Sequence, residues 1–231
     1  MQKQKNIAII PARGGSKRIP RKNIKDFLGK PIIAYSIEAA LQSKLFDEIM
    51  VSTDDNEIAE IAKQYGAKVP FFRNEKTAND YAGLADVIIE VLEQYKNQNI
   101  EFKNVCCILA TAPFITENEL INSFHKLKDS NFDSIFPVVR YSFPIQRAMQ
   151  FAEDNIKMIW PENLTKRSQD LTPSFHDAGL FYWTKTNIVL KHKKLWTDNT
   201  TAIEISESKA QDIDTEEDWY LAELKYKLMY K

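Results

Sequence analysis

The chain has 231 residues, of which 44% are hydrophobic and 11% aromatic, values typical of one globular domain with a substantial core. Its 31 Lys and Arg residues nearly balance its 32 Asp and Glu residues, so no overall field attracts nucleic acid or a membrane. We expect neither as a partner, and a local basic cluster must bind any anionic ligand.

Targeting signals and cysteines bear on the compartment. The first apolar run, residues 7–10, is too short for a signal-peptide core, and no later run reaches membrane-spanning length. Cys106 and Cys107 are adjacent in a predicted strand, where their side chains point to opposite faces. A disulfide between them is therefore not expected, and both are predicted to be buried thiols. These features favour a cytoplasmic protein.

Strands and helices alternate through the first 140 residues. Continuous apolar runs predict strands buried on both faces, and stripes at helical spacing predict amphipathic helices. In chain order the predicted elements are a strand at 7–10, a helix from Pro31, a strand at 48–52, a helix capped by Asp54 or Asp55 and ended by Gly66, a strand at 69–72, a helix over 84–95, a strand at 105–109, a helix over 117–129 and a strand at 134–139. This order predicts an α/β fold with a mostly parallel sheet flanked by helices, and ligands bound where its strands end.

The alternation fails between residues 140 and 173. This segment is rich in Pro, Arg, Gln and aromatic residues, with short strand-like pieces at 148–150 and 157–159. It is too short to bury a core of its own, so we interpret it as an arm inserted in a single domain that spans residues 1–231. The core resumes at 180–183, and the last helix is predicted from Glu216 onward.

The loop after the first strand, residues 11–23, combines glycines with basic residues. Gly14 and Gly15 allow the backbone to turn its N–H groups toward a ligand, and Arg13, Lys17 and Arg18 add positive charge. These are the groups that a triphosphate requires, although the spacing is neither that of a Walker loop nor GxGxxG. The alternative is a solvated basic turn.

Asp212 and Asp214 lie near the end of the chain. In an extended backbone, residues two apart share a face, so both carboxylates can point at one Mg²⁺, which prefers oxygen ligands. The alternative is helix capping, with Asp214 or Thr215 as the N-cap and Glu217 or Asp218 completing a capping box. Capping explains Asp214 but leaves Asp212 unexplained.

Taken together, these motifs resemble the CMP-sialic acid synthetase family. The resemblance covers nearly the whole chain in the family's order, and it runs through residues 9–23, 28–31, 51–54, 111–113 and 212–215. Within the family it is closest to pseudaminic acid cytidylyltransferases, because of residues 136–148, 158–162, 167–171 and 175–183.

The resemblance implies a nucleotide-diphospho-sugar-transferase fold, CTP and an acidic nine-carbon sugar as substrates, and a homodimer built through the arm. Metal binding would fall to Asp212 and Asp214, which with Arg13 and Lys17 would be the catalytic residues. The implied nucleotide-binding residues are Ala12, Arg13, Gly14, Ser16, Lys17, Asn23, Arg73, Thr77 and Asp80. The implied sugar-binding residues are Asn23, Leu109, Thr111, Arg167 and His176.

The chain departs from the sialic acid enzymes at two positions. Leu109 stands where they place a glutamine beside the sugar, and His176 replaces their second substrate arginine. Both changes fall at the sugar and spare the nucleotide, so we expect pseudaminic acid to be the acceptor. The alternatives are N-acetylneuraminate, legionaminate, the eight-carbon acid Kdo, or a nucleotide-binding regulator without catalysis.

Overall fold

The computed structural model describes residues 5–230. The strands are β1 (Asn6–Pro11), β2 (Asp26–Phe27), β3 (Lys30–Pro31), β4 (Glu48–Ser52), β5 (Asn104–Ile108), β6 (Ser134–Arg140), β7 (Met149–Ala152), β8 (Asn155–Met158), β9 (Phe175–Asp177), β10 (Phe181–Lys185) and β11 (Thr200–Ile205). The helices are α1 (Ile32–Ser43), α2 (Asn56–Gln64), α3 (Glu75–Ala78), α4 (Leu84–Asn97), α5 (Glu117–Lys128), α6 (Thr186–His192) and α7 (Glu216–Met229). No helix within residues 5–230 is long and apolar enough to cross a bilayer.

A seven-stranded sheet forms the centre of the molecule. Its order is β11-β6-β10-β5-β1-β4, with β9 also paired to β6. β1 is parallel to β4 and β5, and β11 is parallel to β6, whereas β10 is antiparallel to both β5 and β6. β9 is antiparallel to β6. Five of the seven strands therefore run in one direction, which confirms the predicted mostly parallel sheet.

Alternating side chains of the central strands supply two separate cores. Ile7 and Ile9 pack with residues of α4 and α6, whereas Ala8 and Ile10 pack with residues of α1, α2 and α5. Helices on both faces explain why the run from Ile7 to Ile10 is apolar throughout. Cys106 and Cys107 divide between the two cores in the same way. Both are free and buried, as predicted, and burial raises the pKa of Cys107 to about 12.

A third apolar cluster joins the two ends of the chain. Phe27, just after the basic loop, packs with Trp219 of α7, and the ring centroids lie 5.6 Å apart in an edge-to-face arrangement. Ile213 is fully buried in this cluster. Because its neighbours in sequence are Asp212 and Asp214, this packing brings the acidic pair to the basic loop.

Two peripheral strands differ from the sequence prediction. The strand predicted at 69–72 is absent, since only an isolated bridge from Lys68 to Met50 continues the sheet beyond β4. Pro70 lacks the N–H that would extend the ladder. Conversely, β11 was not predicted. It lies at the sheet edge and is only partly buried, so it lacks the continuous apolar run of a central strand.

The segment 140–173 leaves the sheet after β6 and returns as β9. Its strand-like pieces form the antiparallel hairpin β7–β8, which is a separate two-stranded sheet. Phe143 is 84% exposed, Phe151 80% and Ile156 61%. The arm thus presents an apolar surface that a single chain leaves open to solvent.

Candidate active site

A cavity of about 450 Å³ opens where β1 and β5 end, the position predicted for a ligand in this fold. Nine of the predicted site residues line it: Arg13, Ser16, Lys17, Asn23, Arg73, Thr77, Asp80, Leu109 and Thr111. Arg18, Lys22 and Asn79 are among the other lining residues. The structure therefore brings the basic loop, residues 73–80 and the end of β5 to one place.

Carboxylates at the corner between β4 and α2 hold the basic loop in position. The N–H of Gly14 donates a hydrogen bond to Asp54 Oδ1 at 2.8 Å, and Gly14 does not line the cavity. A Cβ atom at Gly14 would lie 2.8 Å from Asp55 Oδ2, which accounts for glycine at this position. Asn23 closes the loop from the other side, because its Nδ2 donates to the carbonyl of Arg13 at 2.9 Å.

Arg21 also stabilises the corner between β4 and α2. Its backbone adopts the left-handed conformation, with φ 54°, and its guanidinium donates two hydrogen bonds to Asp55 at 2.5 and 2.9 Å. These bonds lower the pKa of Asp55 to about 2 and raise the pKa of Arg21. Asp55 also caps α2 by accepting from the N–H of Ile58 at 3.0 Å, which confirms one of the two predicted caps. One carboxylate therefore serves both the helix and the loop.

The two catalytic cations predicted in the loop share one partner. Arg13 donates to Asp80 Oδ1 at 2.6 Å, and Lys17 donates to the other oxygen, Oδ2. Together these hydrogen bonds lower the pKa of Asp80, with that from Lys17 the largest influence. All three side chains line the cavity, so a carboxylate is the present anionic partner of the basic loop.

Arg73 and Thr77 form a further part of the cavity wall. Arg73 is buried, donates to the Ser52 carbonyl at 2.6 Å and to Ser52 Oγ at 3.1 Å, and has its pKa lowered by burial. Thr77 donates to Glu90 of α4, which also accepts from the N–H of Asn74 at 2.9 Å. Arg73 is thus fixed by the end of β4, and Thr77 by α4.

Asp212 and Asp214 lie beside the basic loop rather than in the cavity lining. Asp214 Oδ1 is 2.6 Å from Arg18 and 3.6 Å from Lys22, and Lys22 also donates to the Ile213 carbonyl at 2.6 Å. The pKa of Asp212 is raised, chiefly because surrounding protein desolvates its carboxylate and also because Asp214 repels it. Arg18 and Lys22 therefore connect the acidic pair to the cavity.

The capping question has a clear answer. Thr215 is the N-cap of α7, and its hydroxyl accepts from the N–H of Asp218 at 3.2 Å. Asp218 completes the capping box by accepting from the N–H of Thr215 at 2.8 Å. The suggestion that Asp214 is the cap is wrong, and its carboxylate remains available for another role. Within residues 5–230 no group of three or more His, Cys, Asp or Glu gathers as a metal site, so only the pair is present.

The predicted sugar residues fall into two groups. Leu109 and Thr111 line the cavity, and Leu109 also packs against both cores, so it is a core residue and a wall residue at once. Arg167 and His176 belong to the arm and β9 and do not line the cavity of this chain. Arg167 pairs with Asp170 at 2.8 Å, and the His176 ring lies 4.9 Å from that of Tyr141.

Sequence reasoning placed Ala12 and Gly14 among the nucleotide-binding residues, noted Arg18 as a basic residue of the loop without assigning it to the site, and omitted Lys22. Ala12 is fully buried beneath the cavity. Lys22 and Arg18 line the cavity and contact the Asp214 carboxylate, and their position in the basic loop is the signal that could have identified them.

Comparisons with known proteins agree with this geometry. The cytidylyltransferase family model matches residues 7–226. The pseudaminic acid cytidylyltransferase of Campylobacter jejuni (strain 81-176) is 42% identical over 98% of both chains. The CMP-N,N'-diacetyllegionaminic acid synthase of Legionella pneumophila is 31% identical over 94% of both. A solved CMP:2-keto-3-deoxy-manno-octonic acid synthetase, complexed with CTP, shares the fold, with a TM-score of 0.71 at 18% identity over 98% of this chain and 99% of that one. The chain therefore belongs to the cytidylyltransferase family.

Proposed function

We propose that this protein transfers CMP from CTP to the anomeric hydroxyl of pseudaminic acid, releasing pyrophosphate. The observation that carries the proposal is the 42% identity to a pseudaminic acid cytidylyltransferase along nearly the whole of both chains. The cavity supports it, because cations that suit a triphosphate face Leu109 at the end of β5. Leu109 is an apolar wall that suits a sugar with fewer hydroxyl groups.

Phosphoryl transfer of this kind depends on positioning and on neutralisation of charge. Arg13 and Lys17 would bind the phosphates and stabilise the charge that develops as pyrophosphate leaves. The hydrogen bonds from Gly14 to Asp54 and from Arg21 to Asp55 hold the loop in position. Arg73 and Thr77, which also line the cavity, would lie beside the cytidine.

We also propose Mg²⁺ as the cofactor, held by Asp212 and Asp214. The residues fit such an ion, because two carboxylates flank Ile213 and supply the oxygen ligands that Mg²⁺ prefers. When bound, Mg²⁺ would neutralise phosphate charge and increase the acidity of the attacking hydroxyl. Arg18 and Lys22 would orient the Asp214 carboxylate.

The chain's own residues then set the course of the reaction. The sugar lies against Leu109 and Thr111, with its anomeric hydroxyl directed at the α-phosphorus of CTP. The oxygen of that hydroxyl forms the new P–O bond, the bond to the β-phosphate oxygen breaks, and the hydroxyl proton passes to solvent. Lys17 and Arg13 keep the leaving pyrophosphate in line with the attack.

Assembly through the arm is part of the proposal. Arg167 and His176 are exposed and lie outside the cavity of their own chain. Their predicted roles at the sugar are satisfied if the arm reaches over the site of a second copy. The exposed Phe143 and Phe151 supply the apolar area that such a homodimer would bury. With two free thiols in its core, the protein fits the cytoplasm, where we propose it acts.

The function is tested by measuring pyrophosphate release with four nucleoside triphosphates and a panel of acidic sugars. We expect turnover with CTP and pseudaminic acid, lost in EDTA and restored by Mg²⁺. Equal kcat/KM for pseudaminic and N-acetylneuraminic acid would exclude the proposed acceptor and leave only the family activity. Full turnover in chelator would exclude the metal.

Leu109 offers a sharper test of the acceptor. A sugar hydroxyl buried against Leu109 without a partner would cost roughly 1–3 kcal/mol, or about tenfold to a hundredfold in kcat/KM. We expect Leu109→Gln to narrow the gap between pseudaminic and N-acetylneuraminic acid by about that factor. Leu109→Met, which keeps the wall apolar, is the matched control and should leave the ratio of the two kcat/KM values unchanged. An unchanged ratio in Leu109→Gln would remove Leu109 from the sugar site.

A further inference from the structure

Arg13 and Lys17 of the basic loop are paired with a carboxylate of their own chain. Arg13 and Lys17 each donate to a different oxygen of Asp80, so one carboxylate bridges the two side chains. Asp80 is 67 residues from Arg13 in the chain, which makes this a tertiary contact rather than a local turn. Any anion that binds Arg13 and Lys17 must meet the Asp80 carboxylate first.

The Asp80 carboxylate occupies the position that suits a phosphate group. A carboxylate and a phosphate both present acceptor oxygens to paired cations. The two anions cannot share the cations at close range, because like charges at hydrogen-bond distance repel strongly. Binding of a triphosphate to Arg13 and Lys17 therefore requires Asp80 to leave.

The surrounding backbone allows this movement. Asp80 lies between α3, which ends at Ala78, and α4, which begins at Leu84, in a segment without helix or strand. The Asn79 side chain organises this turn by accepting from the N–H groups of Tyr81 and Ala82 at 2.8 and 3.0 Å. Asp80 itself is exposed, so solvent can receive its carboxylate.

We infer that Asp80 is a displaceable internal ligand of the phosphate subsite, which holds Arg13 and Lys17 until a polyphosphate binds and which competes with the phosphates of CTP. This inference rests on the proposed function for the identity of CTP but not for the exchange itself. It also changes the expected role of Asp80, from a contact made to the nucleotide to a contact that the nucleotide replaces.

The direction in which one substitution changes the affinity for polyphosphate distinguishes the two roles of Asp80. Asp80→Asn keeps the size of the side chain and removes its charge. If Asp80 competes with phosphate, the variant binds polyphosphate more tightly, by about three- to tenfold for the loss of two exposed ion pairs. If Asp80 is a direct nucleotide contact or only orders the loop, the variant binds more weakly or equally.

The experiment is calorimetric titration of inorganic tripolyphosphate and of CTP, without sugar, in a buffer free of divalent ions. Glu75→Gln is the matched control, because Glu75 is an exposed carboxylate in the same stretch of chain and its loss changes net charge equally. We expect the dissociation constants of both probes to fall three- to tenfold in Asp80→Asn and less than twofold in Glu75→Gln. In a Lys17→Ala background the gain from Asp80→Asn should shrink by at least half, because the competition passes through Lys17.

The outcomes are distinguishable. Tighter tripolyphosphate binding by Asp80→Asn without any binding of CTP to either protein would sink the proposed function and leave the exchange intact. Unchanged or weaker tripolyphosphate binding by Asp80→Asn overturns the inference whatever CTP does. An equal gain in Glu75→Gln also overturns it, since the effect would then be one of net charge.

Discussion

The basic loop, residues 11–23, and the arm, residues 140–173, are stabilised in different ways. The loop is held by polar contacts within its own chain, which are those of Asp54 with Gly14, of Asp55 with Arg21 and of Asn23 with the Arg13 carbonyl. The arm instead exposes Phe143 and Phe151. A cluster of like charges binds an anion well only if its side chains are held in place beforehand. An apolar surface, by contrast, contributes to stability only when a partner covers it. The loop is therefore complete within one chain, and we propose that the arm is completed by a second.

The largest effect is expected where the loop meets the acidic pair. Asp214→Asn should lower kcat by about 10²–10³-fold, because it removes a proposed metal ligand and a partner of Arg18. Steady-state kinetics at saturating CTP and Mg²⁺ measure this. Thr215→Ala is the matched control, since it removes the cap of α7 and should cost about 0.5–2 kcal/mol of stability with little loss of turnover. Normal kcat in Asp214→Asn would falsify metal ligation by Asp214.

Lys17→Ala should show the next largest effect. Its side chain lines the cavity and is 78% exposed, so its removal should not disturb the fold. We expect a loss of transition-state stabilisation on the order of 2–4 kcal/mol in kcat/KM for CTP. Lys63→Ala, an exposed lysine in α2 away from the cavity, is the control. A kcat/KM within twofold of the wild type would reduce the loop to a solvated turn.

Phe151→Asp tests the arm. Phe151 is exposed in the monomer, so its replacement should change the free energy of unfolding of one chain by less than about 0.5 kcal/mol. Burying the new carboxylate in a dimer interface would cost several kcal/mol, so sedimentation should show a monomer and activity should fall about tenfold.

Leu228→Asp is the control for Phe151→Asp, since Leu228 is 70% exposed on α7, outside the arm. It should leave the mass in solution and the activity unchanged. A wild-type monomer with full activity at micromolar concentration would contradict the dimer, and so would a Phe151→Asp protein of unchanged mass.

The elements that the sequence predicts well are those whose signal is local. β1 and β5 are continuous apolar runs, because helices cover both faces of the sheet. β11 escaped prediction because an edge strand needs no such run. The false strand at 69–72 has strand-like side chains, but Pro70 interrupts the ladder. Here the pairing partner, and not propensity, determines the outcome.

The site divides in the same way. The basic loop and the acidic pair stand out by composition, but their contact spans 196 residues from Arg18 to Asp214 and depends on Ile213 packing with Phe27 and Trp219. No local sequence pattern predicts that packing. The pairing of Asp80 with the loop is invisible for the same reason, because an aspartate in a polar turn carries no sign of its partner.

The smallest expected effect is on stability and concerns the hydrogen bonds between Asp55 and Arg21. Asp55→Asn retains a good N-cap for α2 but removes the carboxylate that accepts both hydrogen bonds from Arg21. Because Arg21 is partly exposed, with 38% of its side chain accessible, solvent screens the pair, and we expect a loss of at most about 1 kcal/mol near neutral pH. The folded-state pKa of about 2 lies below the ordinary value of 3.8, so this stabilisation is present above pH 3.8 and is lost as the pH falls toward 2. Urea unfolding of both proteins at pH 6 and at pH 2.5 should therefore show a difference that shrinks in acid. A difference of the same size at both pH values would show that the loss does not come from the ionised Asp55 carboxylate and its pair with Arg21.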